Sequence, residues 1–159
     1  MNDTILRQEL VNLLIKKQAH IDFKEVMADF PETHLNTVPP NSEYSFWQLI
    51  EHMRLAQRDI LDYIVADVYH LPSFPEDYWP KRSAQTDLKG WQATIKSFLE
   101  DRQALVELIL KPETDLFAPL KNSGEYRHCI LREIHIIASH NAYHTGALLI
   151  MRQSLGIWP

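Results

Sequence analysis

The run Ser139-His140-Asn141-Ala142-Tyr143-His144-Thr145-Gly146 lies inside the last long periodic stretch of the chain, Cys129–Leu155. Around it Ile136, Ile137, Ala147, Leu148, Met151 and Leu155 recur with a 3.6-residue period, which predicts a helix with a core-facing stripe. His140 and His144 fall on that stripe one turn apart, with Cβ atoms about 5–6 Å from each other. Metal–imidazole bonds are about 2.0–2.1 Å long, so a single ion can be held by both rings. Imidazole nitrogens on an apolar stripe cost free energy unless they are partnered. A metal is one partner and hydrogen bonds to neighbouring helices are the other; the spacing alone leaves both open.

Three further amphipathic stretches precede this one. Residues 4–20, extending toward Val26, place Ile5, Leu6, Leu10, Leu13 and Leu14 on one side, with Asp3 or Thr4 as the expected N-cap. After the proline-marked stretch 30–40, residues 43–69 carry Phe46, Leu49, Ile50, Met53, Ala56, Ile60, Leu61, Ile64 and Val68 in helical order. Residues 84–110 do the same with Leu88, Trp91, Ile95, Phe98, Leu99, Leu105, Leu108 and Ile109, and Lys111-Pro112 stops them. The prolines of segment 71–80 exclude a helix there. From His70 to Ser83 the chain can extend about 45 Å, enough to run the length of a helix and make the second and third helices parallel. The expected fold is an all-α four-helix bundle with one long connection crossing it, a single domain over 1–159.

The composition excludes several function classes. With 16 Lys+Arg against 21 Asp+Glu the formal charge is −5, the wrong sign for a nucleic-acid surface. No apolar run approaches the ~20 residues that span a bilayer, and no membrane role is expected. The N-terminal residues lack a basic region followed by an apolar one, so no secretory signal is read there. The single cysteine, Cys129, rules out an intramolecular disulfide and suits a reducing, cytoplasmic setting.

A third ligand from another helix would complete a site around His140 and His144. His52 is the candidate, because it shares the apolar stripe of the second helix with Leu49, Met53, Ala56 and Ile60, and Asp59 follows two turns on. A lone histidine there can equally be a hydrogen-bonded core residue. The other candidates are worse placed. At roughly 100° per residue, His135 points about 140° away from His140, while His128 and Cys129 lie too far along the axis. Glu133 shares the stripe about 10 Å away and can only line a cavity. His20, His34 and His70 fall at helix ends or in loops. Glu51 is expected as an outer partner of the site, and Asn141 and Tyr143 as lining or packing groups.

Together, Ser45-Phe46-Trp47-Gln48-Leu49-Ile50-Glu51-His52, the run His140–Gly146 and the closing stretch Leu149–Trp158-Pro159 resemble the DinB/YfiT-like superfamily. The resemblance implies a four-helix bundle with a crossing connection. It also implies a divalent metal, nickel or zinc, held by histidines that map onto His52, His140 and His144. Members of known activity include thiol-dependent S-transferases, a thiol-dependent isomerase and metal-dependent hydrolases, and dimers are common among them. The family often carries glutamine after the glycine that follows the histidine pair; Ala147 stands there in this chain.

The leading expectation is therefore a metal-dependent enzyme acting on a small-molecule substrate, with a low-molecular-weight thiol or water as co-reactant. Three neutral imidazoles leave a divalent ion its full charge, which makes a thiol or water beside it easier to deprotonate. The competing expectation is a non-catalytic metal-bound bundle that acts by homodimerisation. Trp47, Tyr78-Trp79, Trp91 and Trp158 would then supply interface or packing surface.

Overall fold

In chain order the helices are α1 Asp3–Ile15, α2 Phe23–Met27, α3 Phe46–Val65, α4 Leu88–Leu110 and α5 Ile130–Ser154, with 3-10 turns at Glu32–His34 and Lys121–Tyr126. The computed structural model describes residues 3–158. Among these residues the sole β pairing is an isolated bridge between Pro119 and Cys129. None of the helices among the described residues is long and apolar enough to cross a membrane.

Polar contacts fix the helix directions. Arg7, early in α1, donates to the carbonyls of Ile109 and Lys111 at the end of α4, so these two helices are antiparallel. Trp47 donates to Thr94 and Arg58 to Asp101, so α3 and α4 run parallel. Tyr63 meets His128, just before α5, while His52 meets His140, so α3 and α5 are antiparallel. The two parallel neighbours need a connection that travels the bundle's length, and residues 66–87 form that strap. The all-α four-helix bundle with one crossing connection is the fold, built from α1, α3, α4 and α5.

Helix limits depart from the periodicity where capping decides. The first helix stops at Ile15 instead of running on past residue 20. Asp22 accepts from the Glu25 amide at 2.7 Å and starts a separate α2, so the stretch expected to extend toward Val26 is two helices. Asp3 is not a cap; it lies inside α1 with its carboxylate 2.7 Å from Arg7 Nε. The second long helix begins at Phe46 because Ser45 and Gln48 form a reciprocal capping box. It ends at Val65, where Asn122 Nδ2 donates to the carbonyls of Tyr63 and Ala66. Asp87 caps α4 through the Gly90 amide at 2.7 Å. Gly156, in the left-handed region at φ 66°, turns the chain after α5. The Ile157 carbonyl thereby comes back to Arg152, whose guanidinium also takes the carbonyls of Val26 and Ala28.

The interior divides into two clusters. Leu10, Leu14, Leu61, Leu105, Ile109, Ile134 and Ile137 make an aliphatic one toward the end where α5 begins. Phe23, Phe46, Trp91, Phe98, Leu148 and Met151 make an aromatic-rich one toward the opposite end. Ile136, expected on the inner stripe of α5, is 39% exposed. The inner surface of α5 is split between two rows. Ile130, Ile134, Asn141 and Thr145 lie on one; Glu133, Ile137, His140, His144, Leu148 and Met151 lie on the other, toward α3.

Candidate metal centre

The site lies where the two clusters meet. On α5 the rings of His140 and His144 stand 4.5 Å apart between centroids, as residues one turn apart must. The antiparallel run of α3 brings His52 against both, at centroid distances of 5.0 and 4.8 Å. Each histidine offers one nitrogen, and the three nitrogens lie within 4.8 Å of one another. His52 is buried, whereas His140 and His144 are half-buried because their row runs along the edge of the helix interface.

A hydrogen bond sets the tautomer of His52. Its Nδ1 lies 2.8 Å from the Tyr78 carbonyl, which can only accept, so Nδ1 carries the proton and Nε2 carries a lone pair. That Nε2 is 3.1 Å from His140 Nε2. Two metal–nitrogen bonds of about 2.0–2.1 Å meeting at 90–109° would hold their nitrogens about 3 Å apart. His140 Nδ1 is buried without a partner, and without a cation the neutral ring carries its proton on Nε2, donating to the His52 lone pair; a cation between the two would take that proton's place.

Burial keeps the donors neutral. It lowers His52 to about 4 against the weaker opposing pull of the Tyr78 bond. It lowers His144 to about 3, with the neighbouring His140 and His52 adding to the effect. His140 is also lowered by burial. Neutral imidazoles with free lone pairs are the species a cation binds, so the donor set suits a divalent ion.

The strap closes one side. Trp79 stacks on His52 at 3.7 Å with rings 4° from parallel, and Tyr44 stacks on the far face of Trp79 at 3.8 Å. Tyr78 is anchored in turn, its hydroxyl donating to Asp59 Oδ2 at 2.6 Å, seven residues along α3 from His52. Further on, Gln48 Nε2 reaches the carbonyls of Lys81, Arg82 and Ala84 at 3.0–3.1 Å. The opposite side, at His140, opens on a shallow cleft of about 530 Å³ bordered by Ser139, Tyr143 and Ile136.

The structure thus brings His52, His140 and His144 together and separates the rest. Glu51, expected near the site, turns away to pair with Arg54 and to accept from Thr94 at 2.8 Å. Asn141 points to Gln57 on α3, 3.0 Å away, and Tyr143 is 73% exposed at the rim. His135 is exposed and bonds the Leu131 carbonyl. His128 contacts Tyr63, and Cys129 sits at the N-cap of α5, far along the helix from the triad. His20 and His70 are exposed, and His34 closes a 3-10 turn. Trp91 is core, Trp47 and Trp79 pack inward, and Trp158 lies 5.0 Å from the Arg152 guanidinium.

The strap's part was not visible in spacing. Tyr78 and Asp59 act through a backbone carbonyl and a phenol, groups that leave no periodic trace. Gln48 did leave a signal, the Ser45-x-x-Gln48 pattern of a capping box.

No curated protein and no solved structure matches the chain. The family model of the DinB superfamily matches residues 17–148, a span that holds all three histidines, the strap and the greater part of the bundle. A match over that much of the sequence makes the chain a member of the DinB superfamily.

Proposed function

We propose that the protein is a metal-dependent enzyme in which His52, His140 and His144 hold a divalent ion, nickel or zinc. The substrate is a small molecule, and its co-reactant is a low-molecular-weight thiol or water. One observation carries this reading: His52 Nδ1–H is committed to the Tyr78 carbonyl while its Nε2 lies 3.1 Å from His140 Nε2. A divalent cation supplies Lewis acidity, polarising a carbonyl or easing the loss of a proton from a thiol or water.

The chain's own residues do the rest. The Tyr78 carbonyl holds His52 in one tautomer and one orientation, as outer partners of ligating histidines commonly do. Trp79 keeps water from one face of the His52 ring. The cleft beside His140 admits the reactants, with the Tyr143 ring at its edge. That cleft reaches the triad at His140, and access at this one ligand supports catalysis over a purely structural, dimer-forming bundle, because structural metal sites are closed.

Elemental analysis of wild type and His144→Ala, each stripped with chelator and reloaded with nickel or zinc, tests the ligand set. The wild type should hold roughly one ion per chain and the variant should lose nearly all of it. A variant that keeps its ion sinks the assignment. The loaded wild type is then assayed for thiol transfer to electrophiles and for ester hydrolysis. Inertness in every assay would leave metal binding intact and discard the enzymatic reading.

A further inference from the structure

A larger cleft, of about 920 Å³, opens between the C-terminal half of α3, the turn Lys121–Tyr126 and the first turns of α5. It stands apart from the histidine triad: Glu133 in its wall precedes His140 by seven residues, about 10 Å along the helix. Its charge is unbalanced. Asp59, Glu125 and Glu133 line it together with a single guanidinium, that of Arg132.

That guanidinium is already engaged, with Nη1 2.5 Å from Glu133 Oε1. His128 Nδ1 faces the same oxygen at 3.7 Å and meets the Tyr63 hydroxyl at 3.0 Å. Both contacts to the carboxylate fall on Oε1. Oε2 has no hydrogen-bond partner among the described residues, although the side chain is only 2% exposed. The fully buried side-chain atoms without a partner belong to Asp101, His140 and Asn141, so Glu133 Oε2 keeps a small exposure on the cleft it lines, where an N–H donor from a ligand can reach it.

Aromatic rings point to the same class of donor. Tyr63 and Tyr69 line the cleft with ring centroids 5.0 Å apart, and Tyr126 stacks over His128 at 5.4 Å. Ring faces attract cations, most strongly where water is partly excluded. Asp59 spends both oxygens on the Tyr69 and Tyr78 hydroxyls and so contributes its field without offering a contact. At the mouth Leu71 and Tyr126 are 79% and 82% exposed, and Ile136 lies beside them. That surface suits an apolar body attached to the charged head.

We propose that this cleft is a second ligand site, one that takes a small organic amine. The ammonium group sits against Glu133 Oε2 among the tyrosine rings, and the hydrocarbon part covers Leu71 and Ile136. A carboxylate or phosphate of the same size is rejected by the same charges.

Titrations with phenethylammonium, 2-phenylethanol and 3-phenylpropionate, followed by NMR shifts of the chelator-treated protein, vary the head group at nearly constant shape. The amine should bind at least about tenfold more tightly than either analogue. Glu133→Gln should abolish most of that preference. Because Glu133 is buried, Glu125→Gln and Tyr126→Ala at exposed positions serve as companions, and each should weaken amine binding about threefold or more. Equal binding of amine and carboxylate, no saturation by 10 mM amine (about −2.7 kcal/mol), or indifference to all three variants overturns the proposal. So does loss of binding in His140→Ala with Glu125→Gln unaffected, which would place the amine at the triad. None of these results bears on whether the triad holds metal.

Discussion

The two halves of the interior solve the same packing problem with different materials. Where α5 begins, Leu10, Leu105, Ile109 and Ile134 are at most 1% exposed and belong to a cluster whose members are all aliphatic. Beyond the midpoint the interior changes to Phe46, Phe98, Trp91 and Met151, interleaved with buried Gln48, Gln57, His52 and Arg152. The aliphatic half is held mainly by exclusion of water, and its polar groups lie at its margin: Arg7 on the carbonyls that end α4, and Glu133 beside Arg132. The aromatic half carries polar groups that each demand a particular partner, and several of those partners are backbone carbonyls of non-helical segments: Tyr78 for His52, Lys81 to Ala84 for Gln48, Val26 and Ala28 for Arg152. The lesson is that the strap and the α2 region are parts of this half's interior, although both lie outside the four long helices.

The difference should be largest for Leu105→Ala. With the side chain fully buried, the lost transfer energy and the cavity together should cost about 4 kcal/mol, in the upper part of the range for such truncations. Denaturant unfolding should give the same loss with chelator and with added nickel or zinc, since Leu105 lies on α4 within that cluster and is no part of the histidine triad. A loss that differed between the two conditions would mean that the halves are coupled and that the contrast drawn between them is false.

Acid should act on the other half alone. Burial lowers His52 to about 4 and His144 to about 3, below the ordinary value near 6.5. Between those values the unfolded chain binds protons that the folded chain refuses, so stability must fall as pH drops. It is fully present above about pH 6.5 and declines through the range toward pH 4 and below. For the chelated protein the loss should be on the order of 2–3 kcal/mol for each of the two rings by pH 4.5, read from melts across the range. In a His52→Phe/His144→Leu double variant most of that slope should vanish. If the slope survives, it arises from carboxylates elsewhere and the imidazoles are not the sensitive groups.

The same contrast explains what could be read from the residues. The aliphatic half follows from apolar periodicity, because every contact in it joins one helical stripe to another, and the parallel α3–α4 pair followed from the reach of the prolines between them. His52, His140 and His144 were legible for the same reason: each sits on a stripe, and a stripe fixes which way a side chain points. Glu51 shows where that ends. Its angle on α3 put it off the histidine face, but the choice between the site and the Arg54–Thr94 pair belongs to tertiary neighbours. The overrun of α1 past Ile15 has a similar cause, since Lys16, Lys17 and Gln18 carry no breaker and the stop is made by Asp22 capping a different helix.

The smallest effect probes the join between strap and site. Tyr78→Phe removes the 2.6 Å hydrogen bond to Asp59 Oδ2 and little else, since Tyr69 still donates to Oδ1. Burial and the bond to Asp59 push the Tyr78 phenol well above its ordinary value, so it remains a donor throughout the working range of pH. Losing a bond to a carboxylate should cost about 1.5 kcal/mol. The Tyr78 carbonyl holds His52, so the loosened strap should also weaken zinc binding, by less than the tenfold or more seen when an outer partner is removed outright. Chelator competition measures the affinity, and unfolding with and without zinc measures the stability. The variant should lose more stability in zinc than in chelator, because zinc is then bound less tightly to the folded state. An equal loss in both conditions would show that the phenol merely packs the strap and that His52 takes its orientation from α3 and Trp79 alone.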